Sequence, residues 1–291
     1  MPGALANLAA VIFDGVSFGM LLFLMSVGLS VTLGIMRFLN LAHGASAMLG
    51  GYVLITLVDQ TRVPFLAAVA IATLAAIPFN VLLEMLIYRR LYRAGHLYQV
   101  LLTIGVVFMA AGASTYIWGP NQQPVHVPDW LAGSVTMAGI QFGTYRLFLL
   151  GVSGVLTLLL ILAVEKTTLG ARIRAAVDDR RMATVVGINV DWVFTLSFAI
   201  GGGLAGLGGA LSVYMVGLDP TFALSYLVLY LLVVSVGGLG SIGGTLLAAI
   251  ILGICDVLGK YYIPQIGAFL IYAVMVSLLL LRPNGLMRRN A

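Results

Sequence analysis

Long apolar runs limit what this chain can fold into more than any other feature. They recur at 15–36, 44–58, 65–87, 98–118, 147–164, 192–214, 222–236, 245–259 and 266–281. Most approach the ~20 residues a helix needs to cross the hydrocarbon core of a bilayer. The composition agrees. Charged residues make up 9% of the 291 and mean hydropathy is +1.10, whereas a soluble domain carries about 25% charge. The expectation is an all-α, polytopic membrane protein of about eight or nine transmembrane segments, with no separate soluble domain. The runs at 44–58 and 222–236 are short for a full crossing and either could be re-entrant, since irregular backbone at membrane depth is tolerated where protein or a watery cavity covers it.

The net charge of +5 does not point to nucleic acid, because the basic residues gather between apolar runs. Loop 88–97 has Arg89, Arg90 and Arg93. Segment 165–190 has Lys166, Arg172, Arg174, Arg180 and Arg181. The tail has Arg282, Arg288 and Arg289. Basic loops stay on the cytoplasmic side. Two runs separate the first pair of loops and four the second, so the parity closes with the N-terminus outside and the C-terminus inside. Cys255 is the single cysteine and lies in an apolar run, so no internal disulfide can form. The first fourteen residues hold no Lys or Arg, so a cleaved signal peptide is not expected.

Segment 165–190 is the longest polar stretch rich in helix formers. Through it runs a four-residue stripe of Ala175, Asp179, Ala183 and Gly187. On one helix these would share a face almost free of bulk, open to close approach by another protein. Asp179 also suits an N-cap for a helix from Arg180 to Val186, with Gly187 just past its end. The plainer alternative is a charged loop that only fixes topology.

Other polar residues stand out against the apolar background. Asn40 and His43, beside Gly44, interrupt the chain between the first two runs. Transporters place substrate at interrupted helices; the alternative is a connector at the cytoplasmic surface with Asn40 as an N-cap. Glu84 and Asp256 lie within or beside apolar runs, where a central charge such as Asp costs roughly 2.5–3.5 kcal/mol unless partnered. Either could serve the pathway, pair between helices, or sit near the interface reaching headgroups or a nearby base, which for Glu84 would be Arg89 or Arg90. In the sixth run Gly201, Ala205 and Gly209, and Gly202, Gly206 and Ala210, recur every four residues. That spacing suits close packing against another helix of the same chain.

Three stretches together resemble one family. Arg174-Ala175, Asp179, Ala183 and Gly187-Ile188-Asn189 resemble the cytoplasmic coupling loop of ABC-importer permeases, and more narrowly of the branched-chain amino-acid (LIV-type) permeases, H-type subunit. Gly34 to Gly44, with Asn40 and Ala42-His43-Gly44, resembles that family's early motif. Gly237 to Gly244 resembles its late glycine loop. The likeness runs from about Gly15 to Leu286. It implies a single transmembrane permease domain over 1–291, in the plasma (inner) membrane amid lipid, with a coupling loop at about 165–190. It implies a second permease subunit, two cytoplasmic ATPase subunits and an extracytoplasmic substrate-binding protein. Leucine, isoleucine and valine are the implied substrates, with other small neutral amino acids, urea or short amides as alternatives. Gly170, Arg174, Ala175, Asp179, Ala183 and Gly187 would meet an ATPase. Asn40, His43, Gly44, Glu84 and Asp256 would belong to the pathway. Many relatives carry an acid after Ala-His-Gly; here Ala45 stands there, so no role can rest on that carboxylate.

Two motifs point elsewhere. Gly238 to Gly243 fits G-x-G-x-x-G, but a dinucleotide site needs a preceding strand and an acid about 20 residues on. Gly151-Val152-Ser153-Gly154 resembles the serine motif of rhomboid intramembrane proteases, which pair that serine with a later histidine; His43, His96 and His126 all precede it. A multi-pass membrane enzyme is thus the alternative of another class. Neither lysine, Lys166 or Lys260, sits in a Walker A pattern. The expectation is a transporter subunit with no catalytic residues, no cofactor and no metal, powered by other chains.

Overall fold

The computed structural model describes residues 2–36, 38–92, 94–123, 126–137, 139–283 and 285–287. Arg93, Arg288 and Arg289, three of the residues that set the orientation, lie outside these, as does Arg37 at the edge of the polar break.

The chain is helical almost throughout. The helices are α1 Pro2–Met36, α2 His43–Ile55, α3 Phe65–Leu86, α4 His96–Trp118, α5 Thr144–Lys166, α6 Thr168–Asp178, α7 Arg180–Val185, α8 Val190–Val216, α9 Phe222–Ser225, α10 Leu227–Gly237, α11 Ile242–Tyr262 and α12 Gly267–Leu281. Six of them, α1, α3, α4, α5, α8 and α11, are long and apolar enough to cross a membrane. The remaining apolar runs form shorter helices. The run at 222–236 is broken at Tyr226 into α9 and α10, and α2 has 13 residues before a π-helical turn at Thr56–Gln60.

One boundary changes here. The first apolar run was read from residue 15, yet α1 extends back to Pro2. The charge of Asp14 marks an apparent edge in the sequence, but the helix continues through it, and Arg146 of α5 pairs with it. The connection before α5 contains a two-stranded antiparallel hairpin, β1 Ser134–Met137 and β2 Ile140–Gly143, with Ser134 opposite Gly143.

Helices sort into an inner and an outer set. In the most apolar window of each span, the buried share is 78% for α8 and 61% for α1, but 17% for α5. The outer faces of α4 and α5 carry Phe108, Met109, Leu158 and Leu159, each more than half exposed. Large apolar side chains exposed in this number are expected against lipid, not water. At the centre, α8 packs against α1, α2 and α3. Its small-residue stripes make this possible. A Cβ added to Gly209 would stand 1.8 Å from the Ala47 carbonyl oxygen, and one added to Gly206 would stand 2.3 Å from the Ala76 Cβ. The stripes therefore serve packing within the chain. The short α2 is enclosed by this cluster, with every residue but Leu49 and Val53 buried.

Candidate functional site

The polar segment between α5 and α8 forms a small lobe. Thr167 caps α6 by accepting from the Gly170 N–H at 3.2 Å. Gly170 lies so close to the end of α5 that an added Cβ would fall 1.9 Å from the Val164 carbonyl oxygen. Arg174 Nη1 donates to that same carbonyl. Gly170 and Arg174 therefore fold α6 back onto α5, and Ala175 is half-buried beside them.

At Asp179 the helix stops. Its backbone is extended (φ −148°, ψ 102°), and its carboxylate accepts from the N–H groups of Arg181 at 2.8 Å and Met182 at 3.0 Å. This is the expected N-cap of a new helix, α7. At the far end Gly187 takes φ +84°, its N–H donates to the Thr184 carbonyl, and the Ile188 N–H donates to the Ala183 carbonyl. That is a Schellman closure.

The caps hold, but the continuous seam does not. Because α7 starts afresh at Asp179, Ala175 and Ala183 do not lie on one helix. Ala183 is only 3% exposed and packs with Ile173, Ala176, Val190, Val193 and Phe194, against which Val31 of α1 also rests. What α7 presents outward is Met182, Val185 and Val186, exposed by 62%, 75% and 73%. These are spaced at three and four residues, so they share a face. Trp192, half-exposed at the start of α8, lines with Arg172, Val186 and Ile188 a cavity of about 520 Å³ next to that face. Sequence reasoning missed this surface, although the N-cap it named already required the helical phase to restart.

The polar break lies in the core, not at a surface. Asn40 and His43 are each 1% exposed. The first helical residue of α2 is His43 and its N-cap is Ala42, with no side-chain cap bond, so Asn40 does not cap it. His43 Nε2 lies 2.9 Å from the Met25 carbonyl oxygen of α1. The Asn40 Oδ1 is buried without a hydrogen-bond partner. Gly44 lets α2 approach Ala223 of α9, whose carbonyl oxygen would be 2.7 Å from an added Cβ.

Glu84 is fully buried and fully engaged. Arg89 Nε and Nη2 donate to its carboxylate at 3.2 and 3.3 Å, the Tyr92 hydroxyl at 2.6 Å and the Thr195 hydroxyl at 2.8 Å. The carboxylate ties α3 and the following turn to α8. Glu84→Ala should lower the thermal stability of the purified protein by about 1–3 kcal/mol, the cost of orphaning such donors. A thermal scan beside the unaltered protein checks it.

Asp256 pairs with Lys260 one turn along α11 at 2.6 Å. The pair shares a cavity of about 400 Å³ with the Asp14–Arg146 ion pair. Asp14, Arg146 and Lys260 were not singled out from sequence; a four-residue acid–base spacing in an apolar run was the available signal.

Two outlying motifs resolve as structure. The glycine-rich stretch is the turn between α10 and α11, with Gly238 and Gly240 at φ +97° and +78° and Ser241 capping α11. The element directly before it is the helix α10, not a strand. Ser153 is buried on α5 with no partner for its hydroxyl, and no histidine is brought to it among the described residues.

Comparison with known proteins now decides the family. Residues 11–279 match the family described as branched-chain amino acid transport system / permease component. The chain belongs to this family. It is similar to the high-affinity branched-chain amino acid transport system permease protein BraD of Pseudomonas aeruginosa, 25% identical, over 95% of this chain and 94% of that one. It is equally similar to LivH of Escherichia coli, 25% identical with the same shares. A probable branched-chain amino acid transport permease protein LivH of Methanocaldococcus jannaschii is 28% identical over 91% of this chain and 88% of its own. No solved structure matches. The permease is thus a multi-pass, all-α membrane protein whose family works as part of a transport system.

Proposed function

We propose that this chain is the membrane-spanning subunit of an ABC importer that carries branched-chain or other small neutral amino acids into the cytoplasm. Residues 1–291 form one permease domain in the plasma (inner) membrane, N-terminus outside and C-terminus inside. It works with a second permease subunit, like or unlike itself, two cytoplasmic ATPase subunits and an extracytoplasmic binding protein. The chain does no ATP chemistry of its own.

The observation that carries this reading is the family match across residues 11–279. The α6–α7 lobe supports the coupling role. A six-residue helix, capped at both ends and seated on the chain's own core, turns an apolar face outward. In that arrangement Gly170, Arg174, Ala175, Asp179, Ala183 and Gly187 build and aim the coupling element, and Met182, Val185 and Val186 contact the ATPase. Asp256 belongs to the pathway, and the Asn40–His43–Gly44 break supports the helix crossing beside it. Glu84 acts as a clamp.

Purification in mild detergent should bring down ATP-hydrolysing subunits, and reconstituted vesicles should accumulate leucine only with internal ATP and the binding protein. Accumulation of urea or short amides in place of leucine would move the substrate assignment to those compounds; no accumulation would end the importer reading. Orientation is tested separately. In a Cys255→Ala background, Gln122→Cys should react with an impermeant thiol reagent on intact cells, and Thr184→Cys only after the membrane is opened. Labelling of position 184 in intact cells would reverse the topology.

A further inference from the structure

Two ion pairs from three helices face one cavity. Asp14 of α1 accepts from Arg146 Nη1 in the first turn of α5, and Asp256 accepts from Lys260 Nζ toward the end of α11. All four residues line the same cavity of about 400 Å³, walled in part by Met215 and Leu229. Such a volume suits a small organic ligand, which pockets of about 300–1,000 Å³ commonly hold.

Neither pair is a sealed structural bridge. Side-chain exposure is 40% for Arg146 and 29% for Asp14, and Lys260 is 57% exposed while its partner Asp256 is 7% exposed. A guanidinium carries five donors in a fork that matches a carboxylate. The bond to Asp14 runs through Nη1 alone, which leaves the rest of the fork for a second oxygen pair. All four charges lie within helices apolar enough to cross a membrane, where charge without a partner is costly and a ligand route is the default reading.

The charge count selects the ligand. Two acids and two bases balance. A simple anion or cation entering here would break one pair and leave a like charge uncompensated. A molecule with both an ammonium and a carboxylate replaces each contact it breaks with an equivalent one. We propose that this cavity binds the zwitterionic head of an α-amino acid, the carboxylate on Arg146 and Lys260 and the ammonium on Asp14 and Asp256, with the side chain against Met215 and Leu229. The proposal rests on the amino-acid reading above and adds to it where the permease itself grips the substrate. Selection then falls on the charged head, while the Met–Leu wall accepts side chains of different shape.

The test uses the assembled transporter in membrane vesicles, with Met215→Cys in the Cys255→Ala background. A water-soluble maleimide reports access to the cavity. Millimolar leucine should slow labelling about tenfold, as expected where the occupied state dominates. Leucinamide, 4-methylpentanoate and O-phosphoethanolamine at the same concentration should not. Asp256→Asn combined with Lys260→Gln removes both charges and should abolish the protection by leucine. Labelling that leucine leaves unchanged in the unneutralised protein overturns the proposal. So does protection by 4-methylpentanoate alone, which would mean an anion site, or by O-phosphoethanolamine alone, which would mean a lipid headgroup site. Wild-type leucine uptake measured beside the labelling separates the two readings. Uptake without protection removes this site and leaves the importer; protection without uptake keeps the site and removes the importer.

Discussion

Gly209→Ala is expected to abolish the stable folded permease, although it adds one methyl group. The added Cβ would sit 1.8 Å from the carbonyl oxygen of Ala47, with the carbonyl carbon at 2.4 Å. That obstacle is backbone, so no rotamer change relieves it. Helix α2 would have to move away from α8, and α2 is enclosed by protein on nearly every side. Ordinary overpacking costs about 1–3 kcal/mol, and a rigid backbone clash at the crossing of two central helices exceeds that. Monodisperse permease after detergent extraction should fall by about tenfold or more. Gly112→Ala on α4 is the control. Nothing lies within 4 Å of its added Cβ, and replacing a mid-helix glycine by alanine gains up to about 1 kcal/mol of helix propensity. If the two variants extract equally well, the close α2–α8 crossing is wrong.

That contrast shows what the sequence made legible. The four-residue glycine and alanine stripe of α8 announced close packing, and it packs within the chain as its spacing suggests. Hydropathy found the long spans because one physical rule, satisfaction of peptide groups in lipid, governs them all. Nothing in the same pattern told α8, with 78% of its apolar window buried, from α5, with 17%. Both carry a long apolar stretch, and the difference lies in tertiary neighbours. The start of α1 was misread for a related reason. Asp14 broke the apolar pattern locally, and its partner Arg146 is 132 residues away, beyond the reach of any window.

The candidate sites divide the same way. Local interactions were readable: Asp179 as a cap and Gly187 as a left-handed terminus both stand where the residue types put them. The seam was not, because a residue that caps a helix cannot also be inside one, and its extended backbone resets the phase of everything after it. Asn40 illustrates the converse. It had the residue type of a cap, yet it is buried with an unpaired amide oxygen, since α2 begins at His43 and is held by the Met25 carbonyl. The cavity assembled from α1, α5, α8, α10 and α11 leaves only the four-residue Asp256–Lys260 spacing as a one-dimensional trace.

Met182→Asp combined with Val185→Asp should uncouple the transporter while leaving the permease itself intact. Both side chains point away from the chain's own core and contribute nothing to it. Fold and insertion should therefore be near wild type, as surface changes away from packed features usually cost within ±0.5 kcal/mol. At a partner surface the account differs. Burying an apolar side chain of this size contributes about 1.5–3 kcal/mol, and a carboxylate in its place must also be desolvated. Loss of two such contacts should weaken ATPase association by more than about a hundredfold. Ala183→Trp, one residue along, should fail in another way. Ala183 is sealed among Ile173, Val193 and Phe194, so a large ring there strains the lobe before any partner arrives. That variant should lose permease abundance, the aspartate pair only ATPase co-purification and ATP-driven uptake. The discriminating measurement is quantitative pull-down of ATPase subunits normalised to extracted permease. If the aspartate pair retains both subunits and full uptake, the exposed face of α7 is not the coupling surface. If Ala183→Trp instead extracts at wild-type level with its ATPases lost, the continuous seam inferred from spacing regains its place over the capped, two-helix lobe.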